Sequence, residues 1–459
     1  MPPPPPPPPE RTPLLHKPNT NRTLCYSLLF VFLLFCLLAY CTTFDGIHPR
    51  TNPSFSHLHN FCADIQPILA AEYLTRQVRL AQTLTHLNAT AFIAEPGPSM
   101  SYYTNVKWSL SERPFLAIIR PDSLALSRVN ITFVSPAFEV ARARENIKHA
   151  GLLEPVGIVE WEEHLSPYDT VAKLLASTTS SPATVYLDTT LRFFIASALT
   201  NILAPLDIAT SVSDPEIVTL RSIKSSAEID IMRCANMATV EALRAVKSLV
   251  KPGATEDQIA AWTFRALEAA GLRKTWVLAL VDDNAAYPHG EPGKNKKVGE
   301  DGGMVLIDAG GSLFDYESDI TRTFFVPPTG SNLNMNATRL LAWHAVHAAQ
   351  ERALSTIRVG VACSSVDLAA RDSLVTAGLA NYFTHRLGHG IGMEGHEHPF
   401  LNKGNTETRL EPGMTFSVEP GVYVMGEFGI RLEDIVVVTS DGEGVELLSG
   451  GLAKGPFEF

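Results

Sequence analysis

Residues 384–399 read THRLGHGIGMEGHEHP, and the chain then runs through MTFSVEPGVY at 414–423 and GIRLEDIVVV at 429–438. Imidazoles and carboxylates recur in these segments, although their neighbours are the apolar and β-branched residues of buried strands. Charge placed there is costly unless something compensates it. His389 lies between Gly388 and Gly390, where missing side chains let backbone or ligand approach closely. Glu419 ends an apolar run and is followed by Pro420 and Gly421, which stop the strand. Glu433 stands two residues after Arg431, so both side chains point to one face of a strand.

Working outward, MVLIDAGG at 304–311 reads as a buried strand whose sole charge is Asp308, and YESDITRTFFV at 316–326 reads as a second strand carrying Asp319. Gly310, Gly311 and Ser312 are expected to form the turn between them, making a hairpin with the aspartates side by side. Adjacent carboxylates repel, and one of them would stay protonated. Two divalent cations resolve this. Asp308, Asp319, Glu419 and Glu433 bring four negative charges and His389 a neutral nitrogen, so a dinuclear site comes close to electroneutral. Oxygen-dominated ligands with one imidazole favour Mn2+, with Zn2+ and Co2+ also compatible. Such a pair activates water and polarises a carbonyl, which is the chemistry of hydrolysis.

The length of 459 residues suggests two or three domains. A net charge of -11, with no basic run past residue 50, argues against nucleic acid as the main partner. Residues 1–23 read as a cytosolic proline-rich tail, since positions 2–9 are all proline. Residues 24–41 are uncharged and just long enough to span a bilayer as a helix. Arg11, Lys17 and Arg22 precede them, so the expectation is a single N-terminal transmembrane signal anchor with the catalytic domain lumenal or extracellular. A cleaved signal peptide and a secreted protein form the alternative. Sequons at Asn88, Asn130 and Asn336 fit the same compartment. Beyond the span lie Cys62, Cys234 and Cys363, too scattered for a disulfide framework and compatible with one bridge at most.

Residues 42–65 look like a stalk. From 66 to 215, helical and strand-like segments alternate, which argues for an α/β domain. Its polar residues form no chemical constellation, and Trp108 and Trp161 read as core or interface. A boundary falls near Ser213 to Pro215. The stretch from Ile217 to Val250 then reads as a long amphipathic helix with a Ser225/Glu228 capping box, and Thr255 and Gln258 repeat that relation for the next helix. The five candidate ligands follow, so the catalytic domain is 216–459. Upstream of Asp308, DNAAYPHG places His289 in a polar loop, a solvated position unless it serves a site.

These residues together resemble a known family. Asp308, Asp319, the GHG at His389, VEPG at Glu419 and RLED at Glu433 are similar to the metal-site signature of the pita-bread metallopeptidases, in particular the aminopeptidase P and prolidase branch. The resemblance covers about 240 residues, and the preceding α/β region looks like the creatinase-type N-terminal domain of that branch. It implies an α+β pita-bread catalytic domain, with Asp308 on one metal, Asp319 and Glu433 bridging both, and His389 and Glu419 on the other. Glu419 would also shuttle a proton from the attacking water to the leaving nitrogen. His289, His385 and His396 match outer histidines that hold the scissile amide and stabilise the oxyanion. Tyr423 and Arg431 match positions near the metals, Arg431 orienting a ligand carboxylate. The implied substrate is a peptide with proline in second position, cut before that proline. A homodimer is also implied.

Two positions depart from the family pattern. Asn405, with Arg409 nearby, stands where eukaryotic prolidases carry an arginine for the free carboxylate of a dipeptide, which favours an Xaa-Pro aminopeptidase over the alternative, an Xaa-Pro dipeptidase. Gly395 replaces a commonly apolar residue and loosens one wall of the pocket. A peptide-binding protein on a degenerate pita-bread fold is a third reading, and a metal-independent hydrolase a fourth; both are disfavoured because every ligand position is filled.

Overall fold

Alternating burial along the first strands shows how the N-terminal half is layered. In a computed structural model describing residues 53–122, 128–153, 156–178, 182–293, 295–329 and 337–459, Ala91 and Ile93 face one apolar cluster while Phe92 and Ala94 face another. That period of two requires helices on both faces. The strands are β1 (Ala91–Ala94), β2 (Leu116–Pro121), β3 (Val129–Pro136), β4 (Val156–Trp161), β5 (Ala183–Leu187) and β6 (Ile208–Val212). They form one mixed sheet in the order β4-β3-β2-β1-β5-β6. Helices α1 (Ala70–His86), α2 (Pro98–Thr104) and α3 (Val140–Ala150) contribute to one cluster, and α4 (Pro167–Thr178) and α5 (Phe193–Leu203) to the other. Trp161 is buried and donates to the Pro114 carbonyl at 3.2 Å, and Trp108 stacks on Phe115 at 4.3 Å, so both are packing residues.

The stretch expected as one long helix is two. Asp214 caps α6 (Pro215–Ser222) by accepting from the Glu216 N–H. The chain then extends through Ile223 to Ser225, where Lys224 N–H reaches the Gly413 carbonyl at 2.9 Å, before α7 (Ser226–Lys247) begins. The capping box is what restarts it: Ser225 Oγ accepts from the Glu228 N–H and Glu228 accepts from the Ser225 N–H. The Thr255/Gln258 box likewise opens α8 (Glu256–Ala269).

Behind α7 and α8 lies the antiparallel sheet β7 (Arg273–Val281), β8 (Gly303–Leu313) and β9 (Tyr316–Val326). The hairpin turn is not at Gly310 to Ser312. It falls at Phe314 and Asp315, both with positive φ (49° and 68°), where Lys107 and Lys274 pair with the Asp315 carboxylate. Gly310 and Gly311 are strand residues instead. A Cβ on Gly310 would run into the Ser318 carbonyl oxygen and the Trp276 ring, so glycine here serves close approach rather than turning. After α9 (Ala337–Thr356) and α10 (Cys363–Thr376) come β10 (Gly388–Gly390), β11 (Glu397–Leu401), β12 (Thr415–Val418), β15 (Asp434–Val438) and β16 (Val445–Leu447) in the order β11-β10-β12-β15-β16. The hairpin of β13 (Gly421–Val424) and β14 (Phe428–Arg431) sits in sequence between β12 and β15.

The two halves are joined by buried charge. Arg76 of α1 donates to Glu72 at 2.6 Å and to the Tyr316 hydroxyl at 3.0 Å, and lies 3.4 Å from Glu228 of α7, to which Tyr316 donates at 2.9 Å. Residues 55–65, expected as stalk, are packed instead: Phe55 and Leu58 are buried in the same cluster as Ile231 and Met232, and Cys62 is disulfide-bonded to Cys234 of α7. Cys363 is a buried free thiol.

The proline-rich tail and the span at 24–41 lie outside the described residues. No helix among the described residues is long and apolar enough to cross a membrane. Helix α7, with 22 residues, carries Glu228, Asp230, Arg233, Glu241 and Arg244 among its apolar positions, so length without a continuous apolar surface does not qualify it. The expectation of a membrane-anchored protein with a lumenal or extracellular catalytic domain is corrected on that finding.

Candidate metal centre

The register of β8 and β9 sets the first two acids. Asp308 pairs with Thr321 and Gly310 with Asp319, so Asp308 and Asp319 are diagonal neighbours on one face. The bare Gly310 opposite Asp319 lets the Ser318 carbonyl and the Trp276 ring come close to the strand. From below, Asn236 of α7 accepts the Asp319 N–H at 3.2 Å and Thr239 bonds the Ser318 hydroxyl at 2.7 Å, holding this part of β9 against the helix.

His389 is delivered by β10, which fits between β11 and β12 only because a Cβ on Gly388 or Gly390 would strike the carbonyls of Ser417 and His398. Its Nδ1 faces the Gly390 carbonyl at 3.2 Å, which calls for a proton on Nδ1 and leaves the Nε2 lone pair free. Nε2 lies 3.3 Å from Glu419 and 3.8 Å from Asp319. Ser417 Oγ accepts the His389 N–H at 3.0 Å and donates to Glu419 at 3.2 Å. Glu433 lies between β14 and β15, where Thr321 Oγ donates to its carboxylate at 2.7 Å. Arg431 completes the scaffold, donating to Asp308 at 2.6 Å, to Tyr423 at 2.8 Å and to Thr321 at 3.0 Å.

Ligand atoms of Asp308, Asp319 and Glu433 lie within 4.8 Å of one another, as do those of His389, Glu419 and Glu433. Glu433 belongs to both groups. Asp319 also gathers with His389 and His396, whose ring stands 4.0 Å from that of His389. The electrostatics ask for cations. Burial and then the neighbouring carboxylates hold Asp319 and Glu433 well above the usual carboxylate range, and burial pushes Glu419 up to about 7. Burial drives His389 down to about 3, keeping it neutral as a ligand must be. Oδ1 of Asp308 and Oδ1 of Asp319 are buried without a hydrogen-bond donor. Four acids against two arginines, Arg431 and Arg386, with two orphaned oxygens among the acids, fit hard divalent ions.

The other expected residues are spread around this centre. His289 and His396 are exposed and line a cleft of about 1030 Å3 with the acids. His385 differs: Nδ1 faces the Arg386 carbonyl at 2.7 Å and Nε2 the Tyr423 hydroxyl at 2.9 Å, so both nitrogens are engaged. Burial, then Arg431, pushes its pKa down to about 4. Gly395 lines the cleft with no atom within 4 Å of a would-be Cβ. Asn405 bonds its own loop, at Phe400 and Thr408, and Arg409 is exposed. Sequence reasoning passed over Trp276, Glu394 and Arg386, which line the cleft, and over Thr321 and Ser417, which brace its acids. The alternation of Ser417 with Glu419 was the available signal for the last.

Residues 230–440 match metallopeptidase family M24. An uncharacterized peptidase of Schizosaccharomyces pombe is 35% identical over 94% of this chain and 94% of its own length. The chain belongs to metallopeptidase family M24. Among solved M24-like structures, dipeptidase PepE from Mycobacterium ulcerans matches with a TM-score of 0.73 at 30% identity, covering 83% of this chain and 97% of that one. The Xaa-Pro dipeptidase from Bacillus anthracis gives 0.69 at 25% identity over 84% and 99%. The C-terminal half is therefore an M24 pita-bread catalytic domain, of a family that binds divalent metals and hydrolyses peptides.

Metal removal tests the electrostatics. Acids whose folded pKa is raised favour the metal-free fold at low pH, and that stability is lost as pH rises, through about 7 for Glu419. His385 and His389, held neutral, act oppositely: their contribution is lost as pH falls from 6.5 toward about 4 and about 3. Cations engage the deprotonated acids and neutral His389, so the gap in Tm between manganese-loaded and chelated protein widens from pH 5.5 to pH 8. Equal gaps at both, by scanning calorimetry, contradict this.

Proposed function

We propose that this M24 peptidase is a metal-dependent exopeptidase hydrolysing the bond between an N-terminal residue and a following proline. The observation that carries it is the meeting of two three-ligand groups at Glu433 on the floor of one cleft. Asp308 would hold one ion, His389 and Glu419 the other, with Asp319 and Glu433 shared. When bound, the ions supply Lewis acidity toward the scissile carbonyl and the attacking water. Glu419 takes a proton from that water and passes it to the proline nitrogen, a role suited to a carboxylate that lines the cleft beside His389. His289 and His396, on the open side, bind the substrate amide and its developing oxyanion. Tyr423 and Arg431 act by position: Arg431 fixes the Asp308 carboxylate, and Tyr423 links Arg431 to His385.

Aminopeptidase and dipeptidase share this chemistry and differ in how the far end of the substrate is received. The dipeptidase form is supported by the names of the Mycobacterium ulcerans and Bacillus anthracis proteins. Manganese is the ion favoured by the donor set. The test is incubation of the manganese-loaded protein with Xaa-Pro, Xaa-Pro-Xaa and Xaa-Ala-Xaa peptides, with bound metal counted in parallel. Release of the N-terminal residue only before proline is expected. Metal bound without any such release refutes the reading.

A further inference from the structure

We propose that Arg221 is a positioning residue: by pairing with Glu394 it holds the turn that carries His396, so that a side chain outside the cleft sets where that imidazole meets the substrate. This rests on the Xaa-Pro exopeptidase reading, in which His396 contacts the scissile amide and its oxyanion. Residues 391–396, between β10 and β11, belong to neither strand nor helix. The His396 ring is exposed, stands 4.0 Å from that of His389, and makes no hydrogen bond among the described residues. Its place beside His389 is therefore set by its backbone, and the backbone by what its neighbours hold.

Glu394 and Glu397 flank His396, and both are pinned from outside the sheet. Glu394 is ion-paired with Arg221 in the last turn of α6. Glu397, the first residue of β11, takes Lys224 at 2.5 Å and lies 3.4 Å from Arg221. Lys224 and Glu397 are buried, so salt does little to weaken their attraction. Arg221 is in turn fixed by the front half of the chain: its Nη1 donates to Ser99 Oγ at 3.3 Å, and Ser99 donates to Asp188, next after β5, at 2.8 Å. Met393 packs against the apolar clusters of both halves. Glu397 is also held by β10, where it pairs with Gly390, whereas Glu394 lies in no strand, so the Arg221 pair is the tie on which the turn depends. A catalytic group displaced by about 1 Å loses about 100-fold in rate, which gives such a tie a kinetic effect.

The test is the kinetics of Arg221→Met on an Xaa-Pro peptide in the manganese-loaded full chain, repeated in a His396→Ala background. Arg221→Met is expected to lower kcat about 10- to 100-fold with KM and metal content within about twofold, the pattern of a contact that matters in the transition state. In the His396→Ala chain the same change costs less than about twofold, because the residue it acts through is gone. Arg221→Lys, which keeps the charge, restores part of kcat. Glu394→Ala breaks the tie from its more exposed end and gives the same pattern even if Arg221→Met folds poorly. An equal loss in both backgrounds, or no loss without His396→Ala, overturns the assignment. Amide hydrogen exchange over residues 391–397, read by mass spectrometry, rises at least about tenfold in Arg221→Met or Glu394→Ala whether or not the peptide is cut. If the unaltered chain releases no N-terminal residue, the exopeptidase reading fails; unchanged exchange in both variants overturns the positioning role by itself.

Discussion

Glu419→Gln lowers kcat on an Xaa-Pro peptide by about 100- to 10,000-fold, the range for loss of a positioned general acid-base, while the fold is retained. Gln has the shape to keep the hydrogen bond that Ser417 donates at 3.2 Å, so β12 and the strand carrying His389 have no reason to move. What it lacks is a titratable oxygen. The native carboxylate is partly buried, 3.3 Å from His389, and lines the cleft, where its oxygens can accept and return a proton. Metal content measured alongside separates loss of proton transfer from loss of an ion: the group of Asp308, Asp319 and Glu433 is untouched by the change. A kcat within tenfold of the unaltered protein would remove Glu419 from the mechanism.

Asp319→Asn moves activity and stability in opposite directions. Asp319 is buried, and its carboxyl is held well above the usual range by burial and by Glu433, Asp308 and Glu419. A raised acid destabilises the metal-free fold as pH rises above its unfolded value, so a neutral amide of the same shape lifts the Tm of chelated protein at pH 8. The Asn236 bond is to the backbone N–H and survives. On the proposed assignment the same change removes a ligand shared by two ions, so activity is expected to fall by at least about 100-fold with one ion retained less tightly. Chelated Tm and metal-loaded kcat, measured on one preparation, decide it. A lower chelated Tm would mean that Asp319 stabilises the fold by something other than metal binding.

The centre was legible because its residues break a pattern. Asp308, Asp319 and Glu433 stand in runs of apolar residues, where an acid needs a reason, and His389 sits between glycines that backbone packing turns out to require. The same reasoning failed at Gly310. Glycine beside glycine and serine signals a turn, but the bulk it avoids belongs to Ser318 and Trp276, and no local rule points to a partner strand. The real turn, Phe314 and Asp315, has left-handed backbone without a glycine, so composition hid it. Cys62 and Cys234 are 172 positions apart, and pairing at that range is a property of the fold, not of spacing. Arg386 reads as an ordinary basic residue until Phe400 is seen beneath it.

The charge cluster of Arg76, Glu228 and Tyr316 bears on how such a protein can be divided. A fragment beginning after residue 215 would contain every acid of the centre, yet it would open Glu228 and Tyr316 to solvent where the Arg76 guanidinium had joined them. The loss is that of several charge-assisted hydrogen bonds and of the apolar surface that α1 covers, both part of what holds the second half together. The chain is thus poor material for modular exchange: its catalytic half is not a self-sufficient cassette, and grafting another front half onto it would have to bring a cation to the same spot.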